Sequence, residues 1–480
     1  MVTGNNNCFC RNMMLFKKYN NYFYNYTKIL NHDITLHITG GFNMARKSLA
    51  IGIIILFLFC NVSFTTLSDE NNGNLSGKTL NKVIYVDDDN VEGPWYGNIQ
   101  FPFKNIQDGI DNAYDGDTIF VYNGNYFENI IVNKSIFLRG QDNRYSVIKV
   151  NNSKLIRLYT DDIEISNFKI EGLSNSYAFQ VINSSYCHLH HNLLHTKYGI
   201  YVENCNYTTL DNNTITETVF IAFGIKVYFS KQTLIENNTF DYNNGDWGSG
   251  GTGGIYLHDS PYGKLINNWI YNIGHISFLQ RQMDGIYLCK SPYCIVADNY
   301  IENGSTGIIC WYSSDSIISG NHVSESGLWG IDVDIVENSI FYKNTILSCR
   351  YGFSIYDSKN NLFTGNIIDD NDIGFDIRFS ENNSIIKNSM SRNYAGLDVI
   401  SSNDNKIRKN NFIFNVIDAS IGTCENDWDN NYWNRPRIMP KIIFLSFRDF
   451  IRNPKIYFDI DWHPAKEPYD ISFPEVDFQV

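Results

Sequence analysis

Proline is scarce, with 10 in 480 residues, and charged side chains make up only 19%. Six of the ten prolines fall after residue 433, so the long stretch before them has few chain breakers. Basic residues are outnumbered 38 to 51, a formal charge of −13. That balance argues against a nucleic-acid partner, which needs a basic face for the phosphates. A regular disulfide framework is missing as well. Of ten cysteines (8, 10, 60, 187, 205, 289, 294, 310, 349 and 424), seven lie beyond residue 68, an odd count that cannot pair fully. Cys289 and Cys294 flank Lys-Ser-Pro-Tyr and could bridge. Apolar material is not lacking. Hydrophobic residues reach 43% and aromatics 15%, which excludes wholesale disorder and suits a pleated sheet.

Charge is unevenly placed. Residues 1–47 hold six basic side chains against Asp33, and residues 434–480 hold seven of each sign, so the acidity belongs to the middle of the chain. Met44-Ala-Arg-Lys opens a basic head, Leu49 to Phe59 is uncharged, and Ser63, Thr65 and Thr66 follow. This order predicts a secretory signal over 44–68, cleaved near Ser63–Ser68, with 1–43 an upstream extension. The apolar run is short for a bilayer span, which takes roughly 20 residues. A membrane contact is expected only if that signal stays uncleaved. Residues 69–82 are polar and read as a linker.

A repeat dominates the rest. Gly followed by an apolar residue recurs at 199, 224, 254, 285, 307, 330, 352, 374 and 396, settling to a spacing of 22. An Asn follows fourteen residues later at 213, 238, 268, 299, 321, 344, 366, 388 and 410, and Ala178 with Asn192 forms an earlier copy. Counting from each Gly, positions +1, +3, +11 and +16 are apolar in every copy (Ile331, Val333, Phe341 and Ile346 in one). Alternation of period two marks short strands with one buried face. Such a unit cannot bury that face alone and must stack on its neighbours. The Gly is expected at a tight corner. The Asn is expected to take left-handed geometry and to bond the same amide above and below. The prediction is an all-β right-handed parallel β-helix over 83–433, with 434–480 a capping tail.

The Asn-x-Ile-x-x-Asn-x-Ile pattern, as in Asn360-Asn361-Leu362-Phe363-Thr364-Gly365-Asn366-Ile367-Ile368, resembles the NosD-like β-helix repeat family. The resemblance covers about 82–433, most of the chain beyond the signal, and its motif is specific for fold and poor for function. The segment Phe103 to Ala113, running into Gly116-Asp117-Thr118-Ile119-Phe120-Val121, resembles the entry of this family and of the wider pectate-lyase-like class. Its Ile106, Ile110 and Ala113 share one face of a short helix laid over the open end.

Three kinds of site can be read from the register. Outward positions +2 and +4 bring Tyr228, Tyr256, Tyr287 and Trp311 beside Asp332 and Asp334, an aromatic and acidic face that suits a sugar. Two lengthened coils, 241–253 with Asp246 and Trp247 and 271–284 with His275, Arg281 and Asp284, should project beside it. His258, Asp284, Arg281 and Asp246 are then the catalytic candidates for a polysaccharide lyase or glycoside hydrolase. Polygalacturonase-like enzymes resemble one another by an Asp pair with Gly-His-Gly and Arg-Ile-Lys, and only Asp284-Gly285-Ile286 echoes a piece of that. The Asp-Pro-His-Asp of alginate epimerases is absent, His258-Asp259-Ser260-Pro261 being a loose echo. The third site is a metal: His188 and His190 flank inward Leu189 and point outward together, a spacing that can bind Cu or Zn. The NosD resemblance implies copper delivery to nitrous oxide reductase. Calcium is suggested by Asp87-Asp88-Asp89, which lacks the spacing and final Glu of an EF-hand loop.

The leading expectation is a secreted or cell-surface β-helix that binds extracellular polysaccharide or a glycoprotein surface without catalysis. Catalysis and copper binding follow it.

Overall fold

The computed structural model describes residues 81–151, 155–216, 222–241, 252–271, 284–422, 424–444 and 458–471. The signal-like segment therefore lies outside the described residues, as do Asp246, Trp247, His275 and Arg281. No described helix is long and apolar enough to cross a membrane.

Each copy of the repeat makes three short strands. In one coil these are Trp329–Asp334, Ile340–Tyr342 and Thr345–Leu347. Each pairs in parallel with its counterpart one copy later: Ile331 lies beside Phe353, Phe341 beside Phe363 and Ile346 beside Ile368. Middle strands of successive coils form a 15-stranded parallel sheet from Val83–Val86 to Asp427–Asp429. The four apolar rows fill the interior, where Ile331, Val333, Phe341 and Ile346 are fully buried. Coil pairing stacks like on like: Phe341 lies flat on Phe363 at 4.6 Å, and Phe353 on Phe375 at 4.8 Å.

The recurring Asn forms a continuous amide ladder. Asn344 donates its backbone N–H and its Nδ2 to Oδ1 of Asn366, at 2.9 and 3.0 Å. The same Nδ2 also donates to the Ile318 carbonyl at 2.9 Å. Asn366 repeats the arrangement toward Asn388. The side-chain amide of each rung is thereby satisfied without water, which a buried turn requires. Shorter ladders run through Asn361, Asn383 and Asn405 and through Asn371, Asn393 and Asn415.

Two expectations need correcting. Left-handed geometry falls on the residue before the ladder Asn, as in Asn237 (φ 54°), Lys343 (φ 53°) and Lys387 (φ 56°). The Asn itself is held by its side chain instead. The recurring Gly is not at a corner either. Gly330 sits inside the strand Trp329–Asp334, where a Cβ would come 2.3 Å from Ile346 and 2.7 Å from the Gly352 carbonyl. Close approach of Ile346 within the coil and of the next coil's backbone, and not backbone freedom, demands the glycine.

Both ends carry extra elements. The helix Ile106–Asp111 buries Ile106 and Ile110, and Ala113 follows, also buried. Glu128 accepts the backbone N–H of Ile106 and of Gln107, each at 2.8 Å, at that helix's N-terminus. At the other end Lys441–Phe444 and Phe458–Asp461 pair antiparallel. Asp461 stands where the next ladder amide would be. Its Oδ2 accepts Asn431 N–H at 3.0 Å, Asn431 Nδ2 at 3.2 Å and Trp433 Nε1 at 3.0 Å.

Candidate functional site

The glycine-bearing strands form one face whose outward rows follow the expected register. Tyr201, Lys226, Tyr256, Tyr287, Ile309, Asp332, Ser354, Asp376 and Asp398 are successive rungs. The adjacent outward row passes through Tyr228, His258, Cys289, Trp311 and Asp334. The tyrosines touch one another across the rungs. Ring centroids are 5.6 Å apart for Tyr201–Tyr228, 5.6 Å for Tyr228–Tyr256 and 5.2 Å for Tyr256–Tyr287. Phe223 stacks on Tyr256 at 5.0 Å, and Trp311 meets Tyr312 edge-on. Burial pushes the Tyr287 phenol up to about 12, so it stays a neutral donor.

Acids continue this face. Asp284 opens the strand Asp284–Cys289 beside Thr306 and is 1% exposed. Burial pushes its carboxyl up to about 7, neighbouring Thr306 opposes the rise, and the charge of Asp332 adds to it. Asp332 is raised to about 6, mainly by burial, with Asp334 adding and Ser354 opposing. Asp334 is raised by burial and by Asp357. Oδ1 of Asp284 and Oδ1 of Asp334 have no hydrogen-bond partner among the described residues. Further along, Arg378 Nε donates to both oxygens of Asp376, each at 2.9 Å.

His258 lies at the centre of a contact set that sequence reasoning missed. Its Nδ1 is 3.1 Å from the Tyr256 hydroxyl and 3.0 Å from Cys289 Sγ, and its Nε2 is 3.1 Å from Asp259 Oδ2. The order Cys–His–Asp has the form of an activated nucleophile. Burial instead pushes the Cys289 thiol up, so the thiolate is not favoured. Cys289 and Cys294 both carry free thiols, so the bridge between them is absent. The structure thus brings together Tyr228, Tyr256, Tyr287, His258 and Asp284, with Trp311, Asp332 and Asp334 along the same rows. It leaves Asp246, Trp247 and Arg281 outside the described residues. The signal for Cys289 was its position beside His258 in one row.

A second constellation sits on the outer side of the 15-stranded sheet. His188 and His190 flank buried Leu189, as expected, and their rings stack at 4.2 Å. Glu164, one coil earlier, joins them. Near the entry, Asp88 and Asp87 accept backbone N–H groups from Asn125 at 2.8 Å and Asp89 at 3.1 Å.

The family profile described as periplasmic copper-binding protein (NosD) matches residues 277–445, and that described as right handed beta helix region matches 154–282. Residues 277–445 are thus similar to the NosD family and residues 154–282 to the right-handed β-helix family. A cell surface glycoprotein of Methanothermus fervidus is 28% identical over 261 residues, 43% of this chain and 38% of its own length. The chain therefore spans less than half of that relative. Among solved structures, the Dettilon tailspike protein shares 14% identity over 69% of this chain and 67% of its own, with a TM-score of 0.48. A PL6 alginate lyase in complex with a trisaccharide shares 12% over 82% and 95%, at 0.47. The periplasmic alginate epimerase AlgG, as a double mutant, shares 13% over 68% and 82%, at 0.43. At such identities and scores the likeness bears on neither substrate nor catalysis.

Among the described residues of the NosD-matched range, no three metal-capable groups converge. Cys289, Cys294, Cys310, Cys349 and Cys424 are buried, and burial raises each thiol, Cys294 to about 12 and Cys349 to about 11. His322 stacks flat on Tyr300 at 4.9 Å. Among the described residues, the three metal-capable groups that converge are Glu164, His188 and His190, outside that match.

Proposed function

We propose that this NosD-type β-helix is exported, acts at the cell surface, and binds a neutral extracellular glycan along the tyrosine–aspartate face. The family description and the name of the Methanothermus relative support the location. The observation that carries the binding reading is the unbroken run of touching rings from Tyr201 through Tyr228 and Tyr256 to Tyr287, leading into Asp284 and Asp332. Aromatic faces stack on sugar rings, and carboxylates accept their hydroxyls. The charge of the face selects among glycans. Arg378 is already held by Asp376. A polyuronate would meet Asp332, Asp334, Asp376 and Asp398, four acids against Lys226 and the Asp376-bound Arg378 in these rows. Titration of the full chain with neutral and polyuronate oligosaccharides tests this. Binding restricted to polyuronates would refute it.

A second reading has its own observation. A carboxyl that keeps its proton to about 7 suits a general acid, and Asp332 is near enough to feel its charge. In that reading Asp284 protonates the departing glycosidic oxygen while water, deprotonated by Asp332, attacks the sugar. Release of reducing ends that Asp284→Asn abolishes would support it. Binding with no product favours the first reading.

A further inference from the structure

We propose that Glu164, His188 and His190 hold one borderline divalent metal ion, of the Zn2+ class, on the outer side of the 15-stranded sheet, independently of the glycan face. Parallel register sets Glu164 beside His188 and Ser166 beside His190, with Thr209 and Asp211 on the next coil. Contacts run along the diagonals. His190 Nε2 is 3.3 Å from Glu164 Oε1, and His188 Nε2 meets Asp211 Oδ1. One ligand atom from each of Glu164, His188 and His190 lies within 4.8 Å of the others. Bonds of about 2.0–2.1 Å around tetrahedral zinc place donor atoms roughly 3.3 Å apart, so small rotamer shifts close the site.

His190 Nδ1 faces His191 Nδ1 at 2.8 Å, so one of the two carries the hydrogen. With that hydrogen on His190, its Nε2 presents a lone pair toward Glu164. Oε1 of Glu164, which lies 3.3 Å from His190 Nε2, also accepts from Arg139 Nη2 and Nε at 2.8 and 3.2 Å. Two imidazoles and one carboxylate select Zn2+ or Cu2+ over Ca2+, which takes oxygen ligands. Asp211 orients His188, as a carboxylate behind a ligand imidazole does. The ion would tie the coil of Glu164 to that of His188, near the start of the stack.

The test uses the full chain stripped of metal. Zn2+, Cu2+ and Ca2+ are titrated separately by calorimetry, and thermal melts are recorded with and without each ion. One Zn2+ or Cu2+ per chain, a raised Tm, and no response to Ca2+ are expected. His188→Gln with His190→Gln should weaken uptake at least a hundredfold, and Glu164→Gln about tenfold. His322→Gln serves as a control for a histidine outside the cluster and should change nothing. Circular dichroism of the metal-free variants checks that they fold. Uptake unchanged in the folded double variant, or no saturable uptake by the parent chain, would overturn the proposal. Neither outcome bears on glycan binding, which uses another face.

Discussion

The inner amide ladder and the outer tyrosine–aspartate face belong to the same coils but follow opposite rules. Along the ladder each donor finds its acceptor one coil away, and Asn344 or Asn366 has no side-chain polar atom to spare. On the outer face, Oδ1 of Asp284 and of Asp334 are buried without a partner among the described residues. Repetition satisfies the rungs from Asn213 to Asn410, whereas the second region keeps unpaired oxygens among the described residues. Stability resides where the repeat is perfect, and recognition can arise where identical rungs give way to different ones.

The largest expected effect breaks the perfect region. Asn366→Leu strands the N–H of Asn344, leaves its Nδ2 only the Ile318 carbonyl, and takes a donor from the Phe341 carbonyl. Each orphaned buried group costs about 1–3 kcal/mol, so denaturant melts should show a loss of roughly 4 kcal/mol or more. Next comes the end of the ladder. Asp461→Ala removes one acceptor shared by Asn431 and Trp433. A loss of about 2–3 kcal/mol is expected. Hydrogen exchange should place it in the last coils.

Asp284 sharpens the contrast through pH. An ordinary aspartate titrates near 4, whereas burial holds this one to about 7. Between those values the folded chain keeps a proton that the unfolded chain has lost. The stabilisation linked to that proton is full below about 4 and falls as pH rises through about 7, by roughly 1.4 kcal/mol per pH unit across that window. Asp284→Asn keeps the shape without the charge. Its Tm should exceed the parent's at pH 8 and approach it at pH 4, and a parallel offset at both pH values would contradict the assignment. The smallest effect is on binding: Tyr256→Ala should weaken a neutral oligosaccharide about tenfold, roughly 1.4 kcal/mol, with Tm nearly unchanged.

Most of the coil architecture could be read in advance, because Ile331, Val333, Phe341 and Ile346 recur with a burial that only stacking provides. The roles of Gly and Asn were harder. A spacing pattern marks Gly330 as constrained but does not distinguish a turn from the approach of the Gly352 carbonyl. Likewise Asn237 and Asn238 are adjacent, and only the backbone shows that the first takes the left-handed turn while the second bonds Asn268. The tyrosine rows followed directly from the register. Glu164 was missed because the Gly marker stops before its coil. Extending the +11 row backward from Leu189 to Ile165 would have set Glu164 beside His188. The burial of Asp284 depends on how neighbouring coils crowd it, which spacing does not encode.

Calorimetric titration of the full chain and of Tyr256→Ala with Tyr287→Ala, using matched neutral and polyuronate oligosaccharides, tests the central claim most directly. Saturable binding of a neutral oligosaccharide that the double variant loses, with no heat from the polyuronates, is the expected result. Preference for a polyuronate, or binding that survives loss of both tyrosines, would contradict it.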